Sequence, residues 1–238
     1  MNHYFSFKQF TVQQQFCAMK VCTDACILGA FTATTICKNE PTKILDIGAG
    51  TGLLSLMLAQ KNNCPITAIE IDKEAYIQCT QNFEASPWQQ QLQAIHADIQ
   101  YAADVHNQYD CIISNPPFFE DDILSTNNKK NTAKHATTLT LQQLLVAVEK
   151  LLTANGSFYV LIPYNRLAYF TNIAAALQLL PSNILEIKQT PNHQYFRAIV
   201  VLQKQAVHCQ TQSLTIKEMD GTYSNACIAL LKDYYLYL

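Results

Sequence analysis

Arginine is scarce in this chain of 238 residues: Arg166 and Arg197 are the only two, and 16 basic residues face 18 acidic ones for a formal net charge of -2. The basic excess that usually neutralises nucleic-acid phosphates is therefore missing, and affinity for a polyanion would have to come from local clusters. No stretch reaches the roughly 18 apolar residues that span a bilayer, so no membrane segment is expected. The opening Met1-Asn2-His3-Tyr4-Phe5 lacks a basic segment followed by an apolar run, so no secretory leader is expected either. The nine cysteines include no Cys-x-x-Cys pair. Cys17, Cys22 and Cys26 cluster loosely without histidines at ligand spacing, which points away from a metal site and toward reduced, buried thiols of a cytoplasmic protein.

A dinucleotide fingerprint is also lacking. Lys43-Ile44-Leu45-Asp46-Ile47 reads as a buried parallel strand, and Gly48-Ala49-Gly50-Thr51-Gly52 as a tight turn into a helix that begins at about Leu53. The fingerprint Gly-x-Gly-x-x-Gly would require glycine at position 53. The spacing present is Gly-x-Gly-x-Gly, with Asp46 two residues ahead. It resembles the first motif of S-adenosylmethionine-dependent methyltransferases, which implies that Asp46, Gly48, Gly50 and Gly52 surround that cofactor.

Twenty residues beyond Gly50, Glu70 ends the apolar run Pro65-Ile66-Thr67-Ala68-Ile69. An acidic side chain at the tip of a second strand suits the two hydroxyls of a ribose. Leu92-Gln93-Ala94-Ile95-His96-Ala97-Asp98 reads as a third strand ending in Asp98, which in this superfamily accepts from the cofactor's adenine amino group. A lone acidic residue in such a place is commonly a helix cap. Several such signals in the order and spacing of one fold argue for a ligand.

Behind a fourth run, Tyr109-Asp110-Cys111-Ile112-Ile113-Ser114, stands Asn115-Pro116-Pro117-Phe118. The Asn115 side-chain carbonyl and the Pro116 backbone carbonyl are two acceptors suited to one planar NH2 group, and Phe118 adds a flat ring to stack on it. An exocyclic amine is a weak nucleophile because its lone pair is delocalised. Accepting both hydrogens favours a tetrahedral nitrogen and stabilises the charge that develops there. A base so treated must be flipped out or unpaired. Downstream, Lys129, Lys130, Lys134 and His135 form a short basic segment fit for phosphates, or for a solvated loop.

The remaining pattern alternates without repeats. A helix is expected over 141–152, a strand over 156–162, a helix over 167–180 ending before Pro181, and an antiparallel hairpin from strands at 184–188 and 196–203. The fold class is α/β, a Rossmann-like doubly wound sheet of seven mostly parallel strands with a C-terminal antiparallel hairpin. One domain is expected: an N-terminal cap (1–40), a cofactor-binding core (41–205) and a C-terminal extension (206–238).

The flanks narrow the substrate. Phe5 to Val12, Met19 to Gly29, the Asn-Pro-Pro-Phe-Phe block, Lys134-His135 and the ending Tyr223-Ser224 to Lys232-Asp233-Tyr234-Tyr235-Leu236 resemble the bacterial tRNA (adenine-37 N6)-methyltransferases of valine tRNA over essentially the whole chain. That resemblance implies S-adenosylmethionine as cofactor, tRNA as partner, and Thr23 and Asp24 at the cofactor's methionine end. Cys22 and Cys26 stand where the family usually has glycine or an aliphatic residue, and Lys134 where arginine is common. A protein glutamine N5-methyltransferase presents the same planar amide, but its long helical domain has no counterpart in the roughly 40 residues before the first motif. A guanine N2-methyltransferase of ribosomal RNA, often a duplicated domain, and a noncatalytic RNA-binding protein on the same fold are the other readings.

Overall fold

The computed structural model describes residues 2–17, 19–37, 41–102, 108–117, 139–205 and 208–238. Its elements in chain order are β1 (Tyr4–Ser6), β2 (Thr11–Gln13), α1 (Thr23–Ile36), β3 (Ile44–Ile47), α2 (Leu53–Ala59), β4 (Ile66–Glu70), α3 (Lys73–Glu84), β5 (Leu92–His96), α4 (Ile99–Ala102), β6 (Tyr109–Ser114), α5 (Leu141–Leu151), β7 (Leu152–Pro163), a 3-10 turn (Tyr164–Arg166), α6 (Leu167–Ala176), β8 (Leu180–Lys188), β9 (Tyr195–Gln203), β10 (Gln210–Thr215) and α7 (Asn225–Leu231).

Eight strands form one sheet in the order β10-β8-β9-β7-β6-β3-β4-β5, while β1 and β2 make a separate antiparallel hairpin. Within the large sheet only β9 runs against the rest, pairing antiparallel with β7 and with β8. The expected doubly wound architecture is present, with an eighth strand: β10 pairs parallel with β8 at the sheet edge. The chain winds from β3 outward to β4 and β5, then returns to place β6 on the other side of β3. That reversal opens a crevice between the carboxyl ends of β3 and β6, the place where open α/β sheets bind ligands.

Strand alternation separates two cores. On β7 and β9, Tyr159, Leu161, Ile199 and Val201 face the side covered by α1, α2, α3 and α7. Phe158, Val160, Ile162, Ala198, Val200 and Leu202 face the side covered by α5 and α6. The amphipathic α5 buries Leu144, Leu145, Val148 and Leu151, each contributing roughly 1.5–3 kcal/mol. Its start is fixed by a capping box between Thr140 and Gln143, which satisfies two orphan backbone donors. The helix expected to run to 180 instead ends at Ala176, because Gln178 turns into the left-handed region at φ 58° and Pro181 lies within β8. All nine cysteines are free thiols. Cys17, Cys26, Cys79, Cys111 and Cys227 are buried, whereas Cys22 and Cys37 are exposed. No helix among the described residues is long and apolar enough to cross a membrane.

Candidate active site

Sheet register brings the expected residues level with one another. Ile47, the last residue of β3, pairs with Ser114 of β6 on one side and with Ile69 of β4 on the other, and Glu70 pairs with His96. Gly48, Glu70 and Asn115 therefore each stand one step past the same transverse row, and Asp98 follows two residues after His96. The Ser114 hydroxyl donates to the Ile47 carbonyl at 2.8 Å, which ties the two strand ends together.

The turn after β3 is built on three glycines with left-handed backbone, Gly48 (φ 71°), Gly50 (φ 55°) and Gly52 (φ 79°), a region that costs other residues about 1–2 kcal/mol. A Cβ at Gly48 or Gly50 would meet nothing within 4 Å. A Cβ at Gly52 would lie 2.5 Å from Phe83 Cε1 and 2.9 Å from Cys79 Sγ. Gly52 thus lets α2 approach α3, while the bare backbone at Gly48 and Gly50 leaves a cradle that a side chain would fill.

Two carboxylates hold this turn. Glu70, 8% exposed, accepts from the Gly50 amide through Oε2 at 2.8 Å and from the Asp72 amide through Oε1 at 2.8 Å. Those bonds aim the carboxylate across the turn and leave each oxygen a further lone pair. Asp46 lies beneath, fully buried, with Oδ2 accepting from the Ser55 hydroxyl at 2.8 Å and the Ser55 amide at 3.2 Å. Its Oδ1 accepts no hydrogen bond among the described residues. Burial raises its pKa to about 7, the two Ser55 hydrogen bonds opposing the rise and the charge on Glu70 adding to it.

Asp98 serves as a cap for α4. Its Oδ1 accepts from the Gln100 amide at 2.9 Å, and its backbone carbonyl accepts from the Ala102 amide at 2.9 Å.

Asn115 is half-buried, with Pro116 buried and Pro117 half-buried behind it. The Asn115 Oδ1 is a buried acceptor with no partner among the described residues. Such an atom costs free energy unless something donates to it. Phe118, Lys129, Lys130, Lys134 and His135 lie outside the described residues.

Thr23 and Asp24 open α1. Asp24 Oδ2 accepts from Arg197 Nε at 3.1 Å, an ion pair whose side chains are 27% (Arg197) and 15% (Asp24) exposed. Arg197 was not among the expected site residues. It pairs with Pro163, which lies three residues beyond Val160, the partner of Ser114. Arg197 therefore stands past the row of Ser114 on the carboxyl side, and it anchors the start of α1 to the carboxyl edge of the sheet.

The cradle at Gly48 and Gly50, the carboxylate of Glu70 beside it and the orphaned Asn115 acceptor fit a nucleoside cofactor and a donor amine. No group of three or more potential metal ligands occurs among the described residues. Solved structures share the fold. A "predicted O-methyltransferase" from Agrobacterium tumefaciens aligns with a TM-score of 0.67 at 16% identity, covering 90% of this chain and 98% of that one. The 16S rRNA N2 G1207 methyltransferase of T. thermophilus aligns at 0.59 and 20% identity, over 85% of this chain and 50% of its own. At these identities the likeness is one of architecture, and the architecture is that of the class I methyltransferases. The methyltransferase small domain model matches residues 28–180.

Relatives of nearly full length narrow the class. A tRNA1(Val) (adenine(37)-N6)-methyltransferase from Dyadobacter fermentans is 42% identical over 240 residues, 99% of this chain and 98% of the relative. One from Flavobacterium psychrophilum is 39% identical over 234 residues, 98% and 99% respectively. This chain belongs to the tRNA1(Val) (adenine(37)-N6)-methyltransferase family.

Proposed function

We propose that this protein methylates the exocyclic N6 of adenine 37 in a valine tRNA, in the cytoplasm and as one methyltransferase domain with an N-terminal cap and a C-terminal extension. The observation that carries the reading is the buried Asn115 Oδ1, without a partner among the described residues, one step past the row of Ile47, Ser114 and Ile69, as are Gly48 and Glu70.

S-adenosylmethionine, when bound, supplies a methyl group on a positively charged sulfur. Glu70 would hold its ribose hydroxyls, Gly48 and Gly50 would let the backbone approach it while Gly52 seats α2 against α3, and Asp98 would accept from its adenine amino group. Asp46 supports the turn from below through Ser55, and Thr23 and Asp24 close the far end. Asn115 Oδ1 and the Pro116 carbonyl accept the two hydrogens of the target amine. Taking both hydrogens draws the nitrogen lone pair out of ring conjugation and stabilises positive charge on nitrogen. Phe118 stacks on the base, Pro117 stiffens the loop, and Lys129, Lys130 and Lys134 contact RNA phosphates. The pairing of acceptors to an NH2 group requires no general base of shifted pKa.

The test is incubation of the protein with labelled cofactor and unmodified total tRNA, followed by mass spectrometric mapping of the labelled nucleoside. Label on N6 of adenine 37 is expected. Label on a protein glutamine, or on a tRNA nucleoside other than adenine, would overturn the assignment.

A further inference from the structure

Both arginines of the chain fall on the same carboxyl edge, each beside an aromatic ring. Arg166 ends the turn that follows β7 and stands 5.6 Å from the centre of the Tyr169 ring, and Arg197 stands 5.4 Å from that of Phe196. Lys188, at the end of β8, stands 5.8 Å from the Tyr195 ring, and Tyr195 lies 5.2 Å from the ring of Tyr164. Tyr195 begins β9 two residues before Arg197, whose partner Pro163 lies three residues past Val160, the partner of Ser114. Two strand spacings, roughly 10 Å, separate the line of β6 from that of β9. The neighbouring carboxylates are engaged, Asp24 by Arg197 at 3.1 Å and Glu186 by the Tyr164 hydroxyl at 3.0 Å. Tyr169 remains 45% exposed.

Rings interleaved with cations form the surface that single-stranded nucleic acid binds, since every base has a face to stack and every nucleotide a phosphate to neutralise. An adenine delivered to Asn115 must leave its stack, and its neighbours then need other rings to stack on. We propose that Tyr164, Arg166, Tyr169, Lys188 and Tyr195 form a stacking platform for the single-stranded RNA nucleotides that flank the target base. This rests on the reading of the chain as an RNA methyltransferase. It also places affinity for a polyanion on a chain of net charge -2, by setting Arg166 and Lys188 on the same carboxyl edge of the sheet as Asn115.

The experiment measures tRNA affinity of the full-length protein against salt concentration, alongside S-adenosylmethionine affinity by calorimetry. Tyr169→Ala is expected to weaken RNA binding roughly tenfold, the scale of losing one stacked base, while Tyr169→Phe retains it and cofactor affinity stays within about twofold in both. Tyr195→Ala is expected to act likewise, and Arg166→Gln to reduce the magnitude of the logarithmic salt slope by about 0.7. Unchanged RNA affinity in Tyr169→Ala, with wild-type binding intact, would overturn the platform and leave the proposed function standing. Absence of RNA binding and RNA methylation by the wild-type protein would overturn both.

Discussion

At the scale of single residues, burial conditions the carboxyl of Asp46 strongly. Its pKa lies near 7 because burial strips it of water, so it holds its proton more tightly in the folded protein than in the unfolded chain. A group of this kind supports folding fully below the ordinary carboxylate range and loses that support as pH rises through the folded value. Asp46→Asn keeps an acceptor for Ser55 but has nothing to ionise. Its unfolding temperature should therefore gain on the wild type between about pH 4 and pH 8, by something on the order of 5 °C; parallel pH profiles would expose the idea as wrong. Asn115→Ala, in contrast, should abolish methyl transfer while S-adenosylmethionine affinity changes no more than a few-fold, and unimpaired turnover would remove Asn115 from its assigned role. The positions of Asp46, Glu70 and Asn115 at the carboxyl ends of β3, β4 and β6 could be read from the sequence because each sits in or beside its own apolar run. Arg197 could not, since its partner Asp24 lies 173 residues away and only the closing of the sheet brings them together.

At the scale of elements, the glycine turn divides its labour. Gly52→Ala combines left-handed backbone with a collision against Phe83 and Cys79, and should cost about 3 kcal/mol in urea unfolding, ~1–2 from backbone and the rest from overpacking. Gly48→Ala and Gly50→Ala meet no neighbour and should cost only ~1–2 kcal/mol, yet weaken cofactor affinity more than Gly52→Ala does. Equal cofactor affinities in the three variants would contradict that division. The central strands were legible because β3 and β6 are apolar runs broken by glycine or proline, and the β8–β9 hairpin because its link is short. β10 was not. Its Gln-Thr-Gln-Ser-Leu-Thr has one buried residue, Leu214, since an edge strand gives up half its backbone to solvent and needs little apolar surface. The three-residue strands of the N-terminal hairpin are too short to show a period of two.

At the scale of the whole molecule, the two ends of the chain meet over α1 and α2. The Lys8 amide donates to the Tyr234 carbonyl at 2.8 Å, and Lys61 pairs with Asp233 at 2.6 Å. The Tyr234 hydroxyl donates to the Met57 carbonyl at 3.0 Å, supplying a partner at the end of the short α2, where carbonyls lack intrahelical donors. Tyr234→Phe should lower stability by about 1–2 kcal/mol through that abandoned carbonyl, measured by urea titration; an unchanged midpoint would mean water replaces the hydroxyl. Phe7 and Phe10 from the beginning of the chain and Leu231, Tyr234 and Tyr235 from its end belong to one core with α1. A ribosome makes the first group long before the second. At ~5–20 residues per second, the part of α1 that α2 does not cover waits on the order of 10–40 s for Leu231, Tyr234 and Tyr235, and carries a sticky apolar face meanwhile.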